Sequence, residues 1–427
     1  MRLYLVASKP TDSVTYGFLP AAGRLGLDVT VLTDQPEAHE LARARARSAP
    51  ALPFPGGEAV PAANGGPWCP APRIEPCDVW DFRALIAHVA ALPRPDALFS
   101  NSDHLQAQTA LAAGYLGLPG KDWRSALRAK DKSLMRRRLA REGVETVRVT
   151  EIRDERAAEA TELPYPVVLK PAQGVASEDV VLVADRDELR ARAAGFFARR
   201  PGEVLLAEEL LPGTLRTLET LGDGETRWVL GGFRTAVSPP PYFIEERLTW
   251  DPPPPAALVH VAAALDALGV SFGACHTEYV TGQETRLIEV NDRVIGDHCD
   301  FLLAHVTGLP LFELILRVHL GERLPPLPPA PPPGRAHAVA DYLVTERAGV
   351  LACAPAAGAL PAAARPGVTI AHWPFRQLGD HVTVTGANRD YLAVVCAVGP
   401  DQEGVDAELG AVRPRLRWDI RPAEPRP

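Results

Sequence analysis

The chain has 427 residues, of which 23% are charged and 46% are hydrophobic, with a formal net charge of -8 and a pI near 5.8. This length exceeds one ordinary core and predicts two to four domains or subdomains. The acidic balance excludes a broad nucleic-acid-binding surface but permits a local basic pocket for a nucleotide. No apolar run reaches the roughly 20 residues that span a bilayer, so we expect no membrane partner. The acidic balance likewise leads us to expect no nucleic-acid partner.

Six cysteines are spread along the chain without a CxxC pair. This spacing predicts reduced thiols in a cytoplasmic protein, and a zinc site at Cys69 and Cys77 is the weaker alternative. Residues 1–10 contain an apolar stretch that is too short for a signal peptide and that predicts a first buried strand. We therefore expect a cytoplasmic location.

The first quarter of the chain alternates strand-like and helix-like segments, which indicates a parallel sheet with crossover helices. The first predicted strand, helix and strand are at residues 2–7, 14–25 and 29–32. No GxGxxG follows the first strand, so Asp34 has no support as a ribose-binding acid. A strand at 97–100 precedes a helix at 105–116, and the polar residues between them either contact a substrate or cap that helix. Residues 51–77 are predicted to be irregular.

Positively charged side chains concentrate in residues 125–142, which predict one helix. The helix carries Lys130, Lys132, Arg136, Arg137, Arg138 and Arg141. Such a run is usually a solvated face. The strand at 165–171 favours a second interpretation, because Lys170 closes it just before the flexible loop AQGVASEDV. A fixed lysine and loop N–H groups bind phosphate oxygens in this arrangement, although the loop is not a Walker A sequence.

A short strand at 203–206 runs into the connector AEELLPG. Exposed backbone groups in such a connector bind an adenine edge, with a carboxylate nearby for the amino group or the ribose; a plain interdomain hinge is the alternative. The following segments predict two strands of a second sheet, an irregular excursion and a helix, at 215–221, 227–234, 239–255 and 256–268. Glu219 lies within the first of these strands.

A β-hairpin is predicted by two short strand patterns, GACHTEYV and LIEV, on either side of the polar turn TGQET. This hairpin puts Glu278 opposite Glu289, and Asn291 projects from the same face. Arg293 follows within reach of whatever these side chains hold. An all-oxygen cluster without thiolates suits magnesium, which keeps waters and recruits substrate phosphates. The alternative is a solvated hairpin face with ordinary surface acids.

These segments, taken in chain order, resemble the ATP-grasp superfamily, and more narrowly its carboxylate–amine ligase branch. The resemblance rests on Lys132 in KDK, Lys170 in VVLKP, the small-residue loop, AEELLPG, Glu278 in HTEY, and Glu289, Asn291 and Arg293 in LIEVNDR. It extends from the first strand to about Glu322. The later run VIGDHCDFLLAHVTG resembles a subgroup linked to siderophore and other natural-product amide synthesis.

The resemblance implies an α/β and α+β multidomain ATP-grasp fold. It consists of a Rossmann-like pre-ATP-grasp domain, two subdomains that clamp ATP, the second with the metal site, and a small C-terminal α+β domain. The implied bounds are 1–124, 125–207, 208–333 and 334–427. The last domain shows strand patterns at 338–345, 382–385 and 391–398 and a helix at 401–409. We expect it to cover the active-site side or to help form a homodimer.

The resemblance also implies ATP and Mg²⁺ as cofactors, with Mn²⁺ as a substitute. The implied ATP-binding residues are Lys132, Lys170, Gln173, Gly174, Ser177, Glu208, Glu209, Leu211 and Glu219. In this scheme the two lysines hold phosphates, 173–179 close as a lid, 208–211 receive adenine, and Glu219 lies near ribose or acceptor. The implied metal ligands and catalytic residues are Glu278, Glu289 and Asn291 for the metal, and Arg293 with Lys170 for catalysis.

The activity implied is an ATP-dependent ligase that joins a small-molecule carboxylic acid to an amine or amino acid. Transfer of the γ-phosphoryl group makes the carboxylate an acyl phosphate, which the amine attacks with release of ADP and phosphate. The alternatives are an ATP-dependent carboxylase or kinase-like enzyme of the same fold, and a non-catalytic nucleotide-binding protein. His276, Asp297 and His298 are candidate substrate contacts, with purely structural roles as the alternative.

Two positions depart from the pattern of the family. The predicted lid carries only Gly174, where relatives commonly have several glycines, so its mobility stays open. Asp292 replaces the proline or small residue that often follows the metal-binding asparagine.

Overall fold

The computed structural model describes residues 1–46, 71–159, 162–327, 336–360, 365 and 367–422. Cys69, most of the predicted irregular stretch 51–77 and part of the proline-rich run 325–333 lie outside these residues. Within the described ranges the strands form four sheets.

The amino-terminal unit is a parallel sheet with the strand order β3-β2-β1-β4. Its strands are β1 (Arg2–Val6), β2 (Asp28–Thr33), β3 (Arg73–Pro76) and β4 (Ala97–Phe99). Its helices are α1 (Leu19–Arg24), which follows a π-helical segment at Ser13–Phe18, α2 (Pro36–Ala46), α3 (Phe82–Ala91) and α4 (Gln106–Tyr115). The predicted parallel sheet is confirmed. Because β1 and β4 are parallel neighbours, the loops that follow them leave from the same edge of the sheet.

Two helices, α5 (Trp123–Lys130) and α6 (Lys132–Arg141), occupy the stretch where one helix was predicted. They meet at Asp131, whose φ of -100° and ψ of 106° are extended. The Asp131 carboxylate accepts hydrogen bonds from Ser133 N and Leu134 N and so caps α6. The single predicted helix is therefore wrong, and the break sets Lys132 at the first position of α6.

The second sheet is small and antiparallel, with the strand order β5-β8-β6-β7. It consists of β5 (Val149–Ile152), β6 (Val167–Pro171), β7 (Val181–Val183) and β8 (Leu205–Glu209), and it is packed against α7 (Glu155–Glu159) and α8 (Arg186–Arg199). Alternate residues of β6 and β8, such as Val167 and Leu205, are buried in the core with α8. The strand β8 extends to Glu209, three residues beyond its predicted end.

The third sheet contains ten antiparallel strands, nine of them in the order β14-β13-β9-β11-β12-β15-β20-β18-β17, with β10 paired to β9. Its first six strands are β9 (Thr214–Asp223), β10 (Arg227–Gly231), β11 (Phe233–Val237), β12 (Glu245–Trp250), β13 (Phe272–Thr281) and β14 (Thr285–Asn291). Helices α9 (Pro255–Leu268), α10 (Cys299–Thr307) and α11 (Leu311–His319) accompany them. Among the described helices no single one is long and apolar enough to span a membrane; α10 and α11 meet the length and composition test only as a pair bent by 99°.

Two predictions for this sheet are wrong. The strand predicted at 227–234 is two strands, β10 and β11, separated at Gly232. A Cβ on Gly232 would lie 2.0 Å from the carbonyl oxygen of Thr217, so only glycine allows this close approach of the backbones. The predicted irregular excursion at 239–255 contains β12, whose bounding prolines hide its strand pattern.

The carboxyl-terminal segment completes the same sheet. Its strands are β15 (His337–Val344), β16 (Gly349–Cys353), β17 (Gly358–Leu360), β18 (Thr369–Pro374), β19 (His381–Val382), β20 (Tyr391–Gly399) and β21 (Asp419–Arg421), with helix α12 (Gln402–Val412). β12 pairs with β15, Leu248 opposite Ala340, so the sheet runs across the predicted boundary at 333/334. β16, β19 and β21 form the fourth sheet.

Candidate functional site

A cavity of about 980 Å³ lies between the first three sheets. Its wall consists of the loops after β1 and β4, of β6 and the loop that follows it, of the end of β8, of β13 and β14, and of residues from the carboxyl-terminal segment. All predicted site residues line this cavity except Gln173 and Glu219. The chain thus brings together residues that are far apart in the sequence.

The hairpin β13–β14 provides the acidic wall of the cavity. Glu278 lies opposite Glu289, and His276 lies opposite Asn291, which confirms the predicted register. The Asn291 amide Nδ2 donates to Glu289 Oε1 at 2.8 Å, so these two side chains share a face. The alternative of a solvated hairpin face is wrong, because the Glu278 and Glu289 side chains are only 16% and 18% exposed.

The donor set of this wall fits a divalent cation. Burial and the facing Glu289 carboxylate raise the pKa of Glu278, and a cation between the two would relieve their repulsion. Asn291 uses its amide nitrogen for Glu289, which leaves its amide oxygen for a ligand. No described cluster has three or more His, Cys, Asp or Glu side chains arranged around a metal. Two carboxylates and an amide therefore need waters or phosphate oxygens to complete an octahedron.

Lys132 lies directly against this acidic wall. Its Nζ is 2.6 Å from Glu289 Oε2 and donates to the Gly174 carbonyl oxygen at 3.3 Å. Burial would raise the pKa of Glu289, but the Lys132 ammonium holds that pKa well below its ordinary value. The capped start of α6 fixes this lysine, since Lys132 N also donates to Ala172 O.

Lys170 is on β6 and forms a buried ion pair. Its Nζ lies 2.6 Å from Glu208 Oε2, and the Arg136 guanidinium binds the same carboxylate through two hydrogen bonds. Burial lowers the pKa of Lys170, and repulsion from Arg136 and Lys132 contributes to that decrease, whereas attraction to Glu208 opposes it. Lys170 and Arg136 both bind the Glu208 carboxylate, and Arg136 Nη1 also lies 2.9 Å from Glu145 Oε1, so the cations here are already paired with carboxylates. An arriving anionic ligand would share these cations with the carboxylates.

The predicted adenine contact of Glu208 needs correction. Lys170 and Arg136 bind its carboxylate, and Arg148 binds that of Glu209 at 2.7 Å. Neither side chain is free for a base or a ribose. The chain after β8 lines the cavity as far as Gly213, so main-chain groups and the side chains of Leu210 and Leu211 are available there.

Glu219 is also not where it was predicted to act. It is 1% exposed, lies behind the cavity wall, and contacts His276 Nδ1 through its Oε1 at 2.8 Å. Although burial opposes protonation, the Glu219 carboxylate raises the pKa of His276 to about 10. His276 Nε2 lies 3.4 Å from Glu278 Oε1. Glu219 therefore orients a charged imidazolium and does not contact a ligand itself.

The loop after β6 lines the cavity through Gly174 and Ser177. Gln173 does not line the cavity, and its Nε2 donates to Asp131 Oδ2 at 2.9 Å, so its ATP contact stays a prediction. Ala176, Ser177 and Asp179 have φ values of 54°, 55° and 55°, which side-chain-bearing residues rarely adopt. The glycine-poor loop thus holds a left-handed path with alanine, serine and aspartate.

Asp292 and Arg293 follow β14, and their side chains lie in different surroundings. Arg293 lines the cavity, and its Nε donates to Asp103 Oδ2 at 2.8 Å. Burial would lower the pKa of Arg293, but Asp103 raises it, so the side chain stays charged. Asp292 lies 2.9 Å from Lys121 Nζ in a buried ion pair, which explains an acid at this unusual position.

Asp297 and His298 begin the turn into α10 with φ values of 52° and 68°. The Asp297 side chain is exposed to the cavity, and the surrounding protein raises its pKa. His298 is buried, and its Nε2 lies 2.9 Å from Asp12 Oδ2, which also accepts from Trp373 Nε1. Both candidates therefore line the cavity. Asp297 forms no ion pair among the described residues; burial raises its pKa, and the nearby Arg293 and His298 oppose that increase.

Sequence reasoning missed the individual residues that the carboxyl-terminal segment contributes to this cavity. Tyr342, Phe375, Asn388 and Arg389 line it, and Asn388 hydrogen-bonds to Glu245, another lining residue. No local pattern signals these residues, because the contact between Asn388 and Glu245 joins positions 143 residues apart. They provide the predicted cover over the active-site side.

No family model matches the chain. The uncharacterized protein y4rH of Sinorhizobium fredii is 28% identical over 317 residues, which are 71% of this chain and 64% of that protein. The alanine–anticapsin ligase of Bacillus subtilis is 35% identical over 109 residues, which are 25% of this chain and 23% of that ligase. The chain therefore spans less than two thirds of the length of these curated relatives.

Solved structures match nearly the whole chain. The L-amino acid ligase from Bacillus licheniformis has a TM-score of 0.76 and 20% identity, and the match covers 98% of each chain. The chain has the ATP-grasp fold. A second ATP-grasp structure is the biotin carboxylase domain of Hydrogenobacter thermophilus 2-oxoglutarate carboxylase, in complex with MgADP and bicarbonate. It has a TM-score of 0.67 and 16% identity, covering 98% of this chain and 90% of that chain.

The ATP-grasp fold accounts for the convergence of the charged residues. Lys170 comes from the small sheet, Lys132 from the helix pair before it, and Glu278 with Glu289 from the large sheet. All four line one cavity. The spatial condition that the sequence prediction required is met, because the cations and the paired acids line one cavity.

Proposed function

We propose that the chain is an ATP-dependent ligase that joins a small carboxylic acid to an amine or amino acid. The γ-phosphoryl group passes from ATP to a carboxylate oxygen, giving ADP and an acyl phosphate. The amine nitrogen then bonds to the acyl carbon, phosphate leaves, and the nitrogen loses a proton. The observation that carries the proposal is the pair Glu278 and Glu289 with Asn291, set against Lys132 inside the large cavity.

Glu278, Glu289 and Asn291 are the residues that would hold Mg²⁺, or Mn²⁺ in its place. The metal would supply positive charge to neutralise the transferring phosphoryl group. The proposal is supported by the all-oxygen donor set and by the raised pKa of Glu278, whose burial beside Glu289 disfavours two unscreened carboxylates.

Lys132 and Lys170 are the proposed phosphate-binding cations. Both are buried and fixed by ion pairs, so they keep their place before a ligand arrives. Both ammonium groups line the cavity, where they can share their charge between the paired carboxylates and an incoming polyphosphate. Backbone groups at 209–211 would meet the adenine edge, since the Glu208 and Glu209 carboxylates are engaged elsewhere.

Arg293 and His276 are the proposed groups for the carboxylate and its intermediates. Asp103 holds the Arg293 guanidinium toward the cavity, where it can stabilise the oxyanion of the tetrahedral intermediate. His276, with a pKa of about 10, is protonated at neutral pH and is suited to donate a hydrogen bond rather than to act as a base.

The substrate class is supported by the names of the relatives. A ligase for alanine and anticapsin and an L-amino acid ligase resemble the chain in sequence and in fold respectively. We extend the proposal to siderophore or other natural-product amide synthesis in the cytoplasm, on the resemblance of the run VIGDHCDFLLAHVTG. The acid and the amine are both expected to be small, since nucleotide and substrates share one cavity.

A second candidate is an ATP-dependent carboxylating enzyme. The observation that favours it is the match over 98% of the chain to a biotin carboxylase domain solved with bicarbonate. The two candidates differ in their co-substrate: a carboxylase needs bicarbonate and no amine, whereas a ligase needs an amine and no bicarbonate.

The experiment that tests the proposal is a matrix of carboxylic acids and amines, including the L-amino acids, incubated with the protein, ATP and Mg²⁺. We expect ADP and phosphate to be released in equal amounts only when one acid and one amine are both present, with the amide detected by mass spectrometry. Release of AMP and pyrophosphate would contradict the acyl-phosphate route. Release that depends on bicarbonate alone would support the carboxylase instead.

A further inference from the structure

A short rigid segment near the carboxyl end connects two walls of the cavity. This bridge segment, residues 385–390, is fixed by Asp390, which is 1% exposed. Its carboxylate accepts hydrogen bonds from Thr385 N at 2.9 Å, Thr385 Oγ1 at 2.7 Å and Gly386 N at 2.8 Å. Because these hydrogen bonds connect its two ends, we expect the bridge segment to move as one unit.

The first contact of the bridge segment is with Glu245 on β12. Asn388 Nδ2 donates to Glu245 Oε2 at 3.0 Å, and Glu245 N donates to Asn388 Oδ1 at 3.1 Å. Tyr391 Oη donates to the Glu245 carbonyl oxygen at 2.6 Å. Glu245 lines the cavity on the side of Glu278, whose charge, together with burial, raises the pKa of Glu245 to about 8. The bridge segment thus sets the position of one acidic wall residue.

The second contact is with the loop after β6. Asn388 N donates to Ala176 O at 3.0 Å, and the Arg389 guanidinium forms an ion pair with Glu178. The loop path through Ala176 is left-handed and disfavoured for residues with side chains, so it depends on contacts from outside the loop. The bridge segment provides two of them.

The opposite side of the loop is held by its own subdomain. Arg199 Nη2 lies 2.6 Å from Asp179 Oδ1, and Arg200 lies 3.2 Å from Asp179 Oδ2 and 3.3 Å from Glu178 Oε2. These arginines do not touch Glu245 in the described ranges. The start of the loop is held separately, by Lys132 at Gly174 O and by Asp131 at Gln173. Among all these contacts, only those of the bridge segment lead to Glu245.

We propose that Asn388 and Arg389 are positioning residues that link closure of the loop at 173–180 to occupancy of the wall around Glu245. A second substrate seated against Glu245 fixes Asn388, whose backbone holds Ala176, while Arg389 holds Glu178. Loop closure over the nucleotide and binding of the second substrate then favour each other, because both depend on one placement of the bridge segment. The proposal rests on the proposed function for the identity of the two ligands.

The test uses the full chain and hydrogen exchange of residues 173–180, measured without ligand and with a non-hydrolysable ATP analogue and Mg²⁺. We expect Arg389→Ala and Asn388→Ala to increase exchange of the loop roughly threefold or more in both states, and Arg389→Lys to restore protection. Unchanged exchange in both alanine variants would overturn the proposal. The ligand-free measurement stands even if no acid and amine pair releases ADP, so the two failures are distinguishable.

The matched control is Arg199→Ala, which loosens the same loop from the side not connected to Glu245. With the substrate pair found by ADP release, we expect Asn388→Ala to raise KM for the second substrate about tenfold at a similar KM for the acid, as expected for a lost binding contribution. Arg199→Ala is expected to raise KM for the second substrate less than Asn388→Ala does, because it loosens the loop without displacing Glu245. An equal increase of KM for the second substrate in the two variants would contradict the proposal, because the bridge segment would then only support the loop.

Discussion

At the scale of the residue, the pair Glu278 and Glu289 decides what the cavity does. The two carboxylates face each other across neighbouring strands, and Lys132 neutralises only one of them. The arrangement is costly for folding, since burial disfavours two close negative charges. Such a cost is typical of a site that is completed by a ligand.

The first prediction concerns Glu289. Glu289→Gln keeps the shape of the side chain but removes the charge that Lys132 and a divalent cation need, so we expect Mg²⁺-dependent ADP release to fall by about 100-fold or more. The control is Glu284→Gln in the exposed turn of the same hairpin, where Glu284 is 67% exposed. Steady-state rates and thermal unfolding of both variants are the measurements. Full activity of Glu289→Gln would show that the reaction does not need the charge of Glu289.

The second prediction concerns Glu208, whose folded pKa is about 2 against an ordinary value of 4.5. Although burial opposes ionisation, Lys170 and Arg136 keep Glu208 charged, a shift worth about 3 kcal/mol of folding free energy. A lowered carboxyl pKa stabilises the fold above pH 4.5, and that stability disappears as the pH falls toward 2. We therefore expect Glu208→Gln to cost about 3 kcal/mol at pH 7 and clearly less at pH 3 in urea unfolding. An equal cost at both pH values would contradict the ion-pair assignment.

At the scale of the element, the break between α5 and α6 sets the position of Lys132. Asp131 caps α6, and the exposed Asp122 caps α5 in the same way, through a hydrogen bond from Arg124 N at 3.0 Å. The two caps share the capping contact, but Asp131 Oδ2 also accepts a hydrogen bond from Gln173 Nε2 at the start of the loop after β6.

The third prediction compares these two caps. Asp131→Ala and Asp122→Ala should each lower the free energy of unfolding by about 1 kcal/mol, as expected for a lost N-cap. Only Asp131→Ala should also weaken binding of ATP, because it shifts Lys132 at the first position of α6. Calorimetric titration with a non-hydrolysable ATP analogue and Mg²⁺ measures the difference. Equal affinities in the two variants would show that the cap does not set Lys132.

The hairpin was predictable because its information is local, whereas other elements depended on distant contacts. The alternation around Glu289 and the polar turn fix the register of β13 and β14 within about twenty residues of sequence. Asp131 gave no such signal, because a capping aspartate inside a charged run looks like an ordinary surface acid. The strand β12 was hidden by its proline-rich flanks, and its partner β15 lies about ninety residues further along the chain.

Several site residues could be identified from the sequence, but their roles could not. Glu208 lines the cavity and Glu219 lies behind its wall, and both carboxylates bind protein side chains that the sequence did not predict. Nothing in the local pattern reveals that Arg136 binds one and His276 the other, because both pairs join distant segments. Buried ion-pair networks are set by the packing of whole elements, and short motifs do not encode them.

At the scale of the whole molecule, the ten-stranded sheet joins the carboxyl-terminal segment to the rest of the chain. β15 pairs with β12, and Ala338 and Ala340 of β15 are fully buried. Among the described residues, removing the carboxyl-terminal segment from β15 onward would therefore expose an apolar face and an unpaired strand edge.

The fourth prediction follows from this continuity. A chain ending at residue 333 loses β15, β18 and β20 and exposes the edge of β12, so we expect it to aggregate or to bind a hydrophobic dye strongly. Size-exclusion chromatography and near-ultraviolet circular dichroism against the full chain are the measurements. A monomeric, cooperatively folded 1–333 fragment would contradict a shared sheet and favour a separate carboxyl-terminal domain.

The contact between Glu245 and the bridge segment also affects how the substrate specificity of such a protein can change. Its two halves are encoded more than a hundred codons apart, yet they meet through paired hydrogen bonds. In a chimaeric protein whose crossover lies between the two stretches, Glu245 and the bridge segment come from different parents. The hydrogen bonds between them are then no longer matched. Libraries that seek new specificities should therefore randomise or exchange both stretches together, because a single change in either stretch is expected to weaken binding of the second substrate.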